Sequence, residues 1–171
     1  MQRLLIVDDE DDICQVLKML FEHDGYSVMM ANDGEEAIRI VESGEFIDLI
    51  IADLKMPGIG GMGILDYLIQ ERKDIPLVFI TAYGTISEAV EAMKKGAVDF
   101  ITKPFNKNVI RHVVNRVFQI KGLEDENKLL KSTLMEDKII YQSRAMHDIM
   151  SMVRKVAQVS SPVLILGKSG T

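Results

Sequence analysis

The amino-acid sequence predicts an α/β protein built on a doubly wound, five-stranded parallel sheet. Short continuous apolar runs indicate strands that are buried on both faces, as is typical of parallel sheets. These runs alternate with segments in which apolar residues recur every three or four positions, the spacing of one helix face. Five such repeats up to about residue 120 predict an open sheet with helices on both sides.

Three of the expected strands are strong candidates and two are weaker. The strong candidates are residues 4–7, 49–52 and 77–80, each a run of apolar side chains. The weaker candidates are residues 27–31 and 98–101, in which polar residues interrupt the run. Together they supply the five strands of the predicted sheet.

The expected helices lie between these strands, and three of them end near a glycine. Gly25, Gly44 and Gly96 stand where a left-handed cap at a helix C-terminus favours glycine. The apolar positions at helical spacing are Ile13, Val16, Leu17 and Leu20; Ala37, Ile38 and Val41; Leu65, Leu68 and Ile69; Ile86, Ala89, Val90 and Met93; and Val109, Ile110, Val113, Val114 and Val117.

The helical pattern of the fifth helix continues beyond the expected edge of the domain. Steps of three and four residues predict an extended helix that forms a short coiled-coil linker in a homodimer. A solvated linker helix is the alternative, because Gly122 costs about 1 kcal/mol relative to alanine within a helix. The proposed seam consists of Ile120, Leu123, Asn127, Leu130 and Leu134.

Composition excludes several classes of protein. In 171 residues, 27% are charged and no apolar run approaches the roughly 20 residues of a membrane span. The net charge of -6 argues against nucleic-acid binding by this segment, which would need clustered Lys and Arg. The lone Cys14 allows no internal disulfide, and nothing resembles a signal peptide, so we expect a cytoplasmic protein without membrane contact.

Polar side chains follow the ends of four expected strands. The first expected strand is followed by Asp8, Asp9 and Glu10. Asp53 stands at the end of the third strand, Thr81 at the end of the fourth and Lys103 at the end of the fifth. In a doubly wound sheet, ligands bind outside the carboxyl ends of the strands, so these side chains should share one rim.

Carboxylates that converge on one rim repel one another and need a cation. Mg²⁺ fits best, because it accepts one or two carboxylates together with a phosphate oxygen. A calcium-binding EF-hand starting at Asp8 is excluded, because its sixth position is Ile13 and its twelfth is Met19. A metal, a carboxylate, a hydroxyl and a lysine are the groups that phosphoryl transfer uses, with Asp53 as the nucleophile.

The segments "IVDDE", "LIIADLKMPGIGG", "VFITAYG" and "GAVDFITKPF" resemble, in order and spacing, the receiver domain of two-component response regulators. The resemblance implies a flavodoxin-like sheet of order 2-1-3-4-5 and a receiver domain spanning residues 1–120. It implies that Asp53 accepts a phosphoryl group from a sensor histidine kinase. It also implies a cis peptide bond before Pro104. It further implies a Mg²⁺ site formed by Asp8, Asp9, Asp53 and the carbonyl of Lys55. Thr81 and Lys103 would contact the acyl phosphate, and Phe100 would be the aromatic residue that changes its packing in the switch.

The rest of the chain resembles the opening of the AAA+ ATPase domain of NtrC-type activators of sigma-54 RNA polymerase. Ser143 is a candidate cap for a further helix, and "VLILGKSGT" resembles a strand entering a nucleotide-binding loop at Gly167 and Gly170. Lys168 departs from the glutamate usual in those activators. We therefore expect a linker at residues 121–137 and a truncated ATPase fragment at 138–171. ATP hydrolysis and the interactions with sigma-54 RNA polymerase and DNA would require domains that are absent here. We expect that the fragment itself is not an enzyme.

Two other classes of protein use related sites. An aspartyl-phosphate phosphatase would need an acid two residues after the nucleophile, where this chain has Lys55. A flavodoxin-type flavin binder would need a Ser/Thr/Gly-rich phosphate loop after the first strand, where residues 8–12 are all acidic. A phosphorylation-controlled signalling module remains the favoured interpretation.

Overall fold

The computed structural model describes residues 2–82, 86–135 and 143–156 of the chain. The chain divides into two compact units, Met1–Leu123 and Glu124–Thr171. The first unit contains the sheet and the helices that cover it. Among the described helices, none combines the length and the apolar character that a membrane span requires.

Five parallel strands form one sheet in the order β2-β1-β3-β4-β5, as the family resemblance implied. The fifth strand begins one residue later than the sequence predicted, and the other strands include the predicted runs. The strands are β1 (Arg3–Val7), β2 (Ser27–Ala31), β3 (Leu49–Asp53), β4 (Leu77–Thr81) and β5 (Asp99–Thr102).

Helices follow the strands in sequence, and the glycines that end them behave as predicted. Gly25, Gly44 and Gly96 have φ of 91°, 83° and 115°, the left-handed region that glycine enters at low cost. Ser143 caps the last described helix, because its Oγ accepts the N–H of Met146 over 3.3 Å. The helices are α1 (Asp11–His23), α2 (Gly34–Glu42), α3 (Gly61–Gln70), α4 (Ile86–Lys95), α5 (Lys107–Met135) and α6 (Arg144–Val156).

The sheet separates two hydrophobic cores. Alternate residues of β1 point to opposite faces, so Leu5 packs with α2, α3 and α4 while Leu4 packs with α1 and α5. Both leucines are fully buried, as expected for the central region of a parallel sheet. The helices bury only part of their predicted apolar positions. About half of the side chain surface stays exposed at Val16, Ile69, Val90, Met93 and Val109.

Tyr26, in the loop between α1 and β2, holds the first half of α5 in place. The Tyr26 ring stacks on Phe118 at 5.6 Å between centroids and meets the edge of Phe21 at 5.8 Å. The Tyr26 hydroxyl donates to Asn115 Oδ1 over 3.0 Å. These contacts fix α5 beside α1 on the same face of the sheet.

Candidate functional site

Four strands deliver polar groups to the carboxyl edge of the sheet, as the sequence predicted. β3 ends with Asp53 and β4 with Thr81, while Asp8 directly follows β1 and Lys103 directly follows β5. Asp8, Asp53 and Thr81 are buried polar side chains. The Lys103 backbone N–H donates to the Thr81 carbonyl over 2.8 Å, which continues the β4–β5 pairing to the site.

The ammonium group of Lys103 lies among three carboxylates. Lys103 Nζ donates to Asp8 Oδ2 over 2.7 Å, to Asp53 Oδ2 over 2.8 Å and to Glu10 Oε1 over 3.2 Å. An ammonium group has three donors, and each has an acceptor here. The Glu10 side chain is largely exposed, whereas the Asp8, Asp53 and Lys103 side chains are at most 9% exposed. One buried lysine thus joins the ends of β1, β3 and β5.

Asp8 and Asp53 have matching hydrogen-bond environments. Each uses one carboxylate oxygen for Lys103 and the other for the backbone N–H two residues further on. Asp8 Oδ1 accepts from Glu10 N, and Asp53 Oδ1 accepts from Lys55 N, both over 3.0 Å. These bonds fix the plane of each carboxylate and the first residues of the loop that follows it.

Burial and pairing act in opposite directions on the ionisation of this group. Burial raises the pKa of Asp8 and outweighs the hydrogen bond from Lys103, which lowers it; the nearby charge of Asp53 adds to the increase. Burial alone would lower the pKa of Lys103, but the hydrogen bonds to Asp53 and Asp8 outweigh it and raise this pKa above its usual range. Both pKa values are raised, which favours the charged form of Lys103 and disfavours the charged form of Asp8. Lys103 therefore remains charged while Asp8 is an energetically costly carboxylate.

The carboxylates fit a hard divalent cation. Asp8, Glu10 and Asp53 each offer one carboxylate oxygen, and these three oxygens lie within 4.8 Å of one another. Oxygen ligands of this kind and charge are those that Mg²⁺ prefers. Asp9, which the resemblance implied as a ligand, is exposed and does not belong to this group of three. Sequence reasoning placed Glu10 on the rim without selecting it as a ligand.

The neighbouring positions extend the site toward α4 and β5. Lys55 Nζ lies 3.0 Å from Glu88 Oε1, an ion pair that joins the loop after β3 to the first turn of α4. Phe100 is half-buried, pairs with Phe79 in the β4–β5 register, and packs against the core beneath α2, α3 and α4. The peptide bond between Lys103 and Pro104 is cis, as the resemblance implied.

The remaining predicted residues lie elsewhere in the chain. Ile120 and Leu123 are exposed, with 46% and 65% of their surface accessible, and Asn127 is also exposed on α5. The other members of the predicted seam, Leu130 and Leu134, lie within α5, but their side chains are outside the described part. The predicted nucleotide-loop residues Gly167 and Gly170 also lie outside the described residues.

Comparison with known proteins identifies the family. The family sequence model of the response regulator receiver domain matches residues 4–115, which include all four strand ends that form the site. The chain therefore belongs to the response regulator receiver domain family.

Curated relatives extend the similarity through the second unit. The regulatory protein AtoC of Escherichia coli K12 is 32% identical over 99% of this chain, and the nitrogen assimilation regulatory protein NtrX of Azorhizobium caulinodans is 32% identical over 98%. Both matches agree with the NtrC-type resemblance. The chain spans only 37% of the length of either relative.

Solved structures support the same fold. The signal receiver domain of a putative Luxo repressor protein from Vibrio parahaemolyticus matches 72% of this chain and 95% of its own, with a TM-score of 0.69 at 31% identity. The response regulator protein TrrA of Thermotoga maritima, in complex with Mg²⁺-BeF, matches 68% of this chain and 99% of its own. Its TM-score is 0.62 at 32% identity.

Proposed function

We propose that this chain is a phosphorylation-controlled module in which Asp53 accepts a phosphoryl group from a sensor histidine kinase. The main support is the placement of Asp53 in a receiver-family chain: its carboxylate ends a central strand and lies 2.8 Å from a buried ammonium group. A carboxylate held in this way is oriented for attack, and the ammonium group can neutralise charge on the incoming phosphoryl oxygens.

In the proposed reaction, an Asp53 carboxylate oxygen attacks phosphorus, a new P–O bond forms, and the P–N bond to the kinase histidine breaks. Lys103 and Thr81 would then donate to the phosphoryl oxygens. Lys103 is already within reach of Asp53 in the unphosphorylated chain, so it need not cross the site. The product is an acyl phosphate on Asp53, and the kinase histidine leaves as neutral imidazole because the second nitrogen of its phosphorylated ring already carries a proton.

The proposed Mg²⁺ ligands are Asp8, Asp53 and the backbone carbonyl of Lys55. When bound, the ion neutralises negative charge that builds up on the phosphoryl oxygens. Asp9 is the further acidic ligand that the family resemblance implies, whereas the grouping of carboxylates supports Glu10. Measured Mg²⁺ affinities of Asp9→Ala and Glu10→Ala would distinguish these two residues, because only substitution of the true ligand removes a contact with the ion itself.

The signal would leave the site through β4, β5 and α4. A phosphoryl group adds negative charge and strong acceptors, so Thr81 would shift toward it and Phe100 would repack into the space released. Phe100 has no hydroxyl group, so its response must be one of packing. The ion pair between Lys55 and Glu88 connects the loop after Asp53 to α4 and supports this route.

The proposed output is a change in a homodimer joined through the extended α5. The exposure of Ile120 and Leu123 on a continuous helix supports a seam with a second copy of the chain.

The proposed domains are the receiver at 1–120, the linker at 121–137 and an AAA+ fragment at 138–171. The boundary between the two compact units after Leu123 supports this division. In a longer parent protein, the dimer would control an ATPase domain that acts on sigma-54 RNA polymerase and DNA.

Beryllofluoride, a mimic of the phosphoryl group, tests this function. We expect it to perturb the amide resonances of Thr81 and Lys103 only when Mg²⁺ is present, and not in Asp53→Asn. The dimer arrangement should change under the same conditions. Equal perturbation in Asp53→Asn would place the anion elsewhere and contradict the proposal.

A further inference from the structure

The start of α2 carries three acidic side chains, the N-cap Asp33 and the first-turn residues Glu35 and Glu36, and two of them stabilise the helix itself. Asp33 Oδ1 accepts the N–H of Glu36 over 2.7 Å, and Glu36 Oε2 accepts the N–H of Asn32 over 2.8 Å. The first bond satisfies a free backbone donor of the helix, and the second fixes the residue that precedes the N-cap. The third acid, Glu35, is therefore not needed for capping.

Glu35 instead reaches the loop at residues 54–60, which connects β3 to α3. Its Oε1 accepts the backbone N–H of Ile59 over 3.2 Å, across 24 positions of sequence. The contact is partly buried, so the bond is less exposed to competition from water than an open surface bond.

Glycines allow the same two segments to approach closely. A Cβ atom on Gly34 would overlap the carbonyl oxygen of Ile59, so the backbone of α2 lies directly against this carbonyl. Gly58 has φ of 72°, and a Cβ atom there would lie 2.8 Å from Glu35 Oε1. The start of α2 thus accepts the N–H of Ile59 and packs closely against its carbonyl group.

This loop also carries the carbonyl of Lys55. The beginning of the loop is fixed by the bond from Lys55 N to Asp53 Oδ1, and the bond from Gly61 N to the Leu54 carbonyl over 3.2 Å joins the two ends of the loop. Its far end is fixed on α2 through Glu35. The loop that carries Lys55 is therefore attached near both of its ends.

We propose that Glu35 is a positioning residue that holds the loop after β3 in the conformation in which the Lys55 carbonyl binds Mg²⁺. This inference rests on the proposed function, because it assigns Glu35 to the metal site of the phosphoryl acceptor. Glu35 contacts neither Asp53 nor the ion in this role. It acts through the backbone of Ile59.

The test compares three substitutions in the full chain by calorimetric titration with Mg²⁺. Glu35→Ala should weaken Mg²⁺ binding by about tenfold, the lower end of the effect of residues that orient metal ligands. Glu35→Gln keeps a carbonyl acceptor and should bind within about twofold of the wild type, because an amide oxygen accepts the same bond. Glu36→Ala removes a hydrogen bond from the same helix turn without touching the loop, so it should lower the melting temperature and leave Mg²⁺ affinity unchanged.

A second measurement uses the metal-free protein. Hydrogen exchange of the Ile59 amide should accelerate in Glu35→Ala and not in Glu36→Ala. Phosphorylation of Glu35→Ala by acetyl phosphate should return to the wild-type rate at saturating Mg²⁺, since only the affinity for the ion is affected. Unchanged Mg²⁺ affinity in Glu35→Ala, or an equal loss in Glu36→Ala, would overturn the role of Glu35 and leave the proposed function standing. A wild-type chain that binds no Mg²⁺ would overturn both.

Discussion

Lys103 Nζ lies 2.8 Å from Asp53 Oδ2, although 50 positions of sequence separate the two residues. The same ammonium group bonds Asp8, so a single lysine holds together the ends of β1, β3 and β5. In the chain without phosphate, Lys103 acts as the counter-ion of the carboxylates that we assign to phosphoryl transfer and metal binding.

The first prediction concerns the stability of this arrangement. Lys103→Ala should destabilise the chain by about 3–5 kcal/mol without divalent ions, because it leaves buried carboxylates without their cation. Added Mg²⁺ should recover more stability in this variant than in the wild type. Chemical denaturation with and without Mg²⁺ measures both effects. Lys95→Ala is the matched control, since it removes only an exposed ion pair with Asp66 and should cost much less. Equal losses in the two variants would contradict the role of Lys103.

The second prediction concerns Cys14, whose thiol packs beneath the acidic site. Burial raises the pKa of Cys14 from 9.0 to about 11, and the charge of Asp8 contributes in the same direction. The folded chain therefore binds this proton more tightly than the unfolded chain, and stability from this group is lost as pH rises from about 9 to 11. At pH 8 we expect iodoacetamide to modify the native chain much more slowly than the chain in denaturant. Rapid modification without unfolding would show that the thiol is accessible.

The sequence predicted the location of the site because strand polarity alone determines it. Asp8, Asp53, Thr81 and Lys103 each end or follow a buried strand, and parallel strands place these positions at one edge. It did not predict that Lys103 would bond three carboxylates, because that depends on side-chain rotamers and on the exact approach of the strand ends.

Other features had even weaker signals in the sequence. The bond from Ile59 to Glu35 joins the loop after β3 to the first turn of α2, and no periodic pattern relates these two segments. The contact of Tyr26 with Phe118 depends on how α5 crosses the sheet, which helical spacing does not define. Exposure of Val16 and Val109 likewise follows from the tertiary packing of the helices, since their spacing alone is that of a buried face.

The third prediction concerns the attachment of α5. Tyr26→Phe keeps the aromatic stacking and removes the hydroxyl that bonds Asn115, so it should cost about 1 kcal/mol in the free energy of unfolding. Tyr67→Phe is a matched control, because the Tyr67 hydroxyl makes a longer, exposed contact of 3.4 Å with Glu42 and its loss should cost less. Urea denaturation of both variants measures the difference. A loss for Tyr67→Phe as large as that for Tyr26→Phe would contradict this account of the α5 attachment.

The fourth prediction concerns the linker. If the seam from Ile120 to Leu134 joins two chains, Leu123→Glu with Leu130→Glu should place like charges in it and yield monomers without unfolding the receiver. Lys128→Glu with Ser132→Glu adds acidic groups at outward positions of the same repeat and should leave the dimer intact. Sedimentation at tens of micromolar reports the oligomeric state. A wild-type chain that is already monomeric would rule out the seam, and a double mutant that stays dimeric would move the interface to another surface.

The most direct measurement is the mapping of phosphate after incubation with acetyl phosphate and Mg²⁺. Intact mass spectrometry should show the addition of one phosphoryl group, and peptide mapping should place it on Asp53. Asp53→Asn should gain none, while Glu36→Ala, which leaves the site intact, should be labelled like the wild type. Hydroxylamine should remove the label, as expected of an acyl phosphate. Stable phosphate on a serine or histidine, or undiminished labelling of Asp53→Asn, would contradict the assignment of Asp53 as the phosphoryl acceptor.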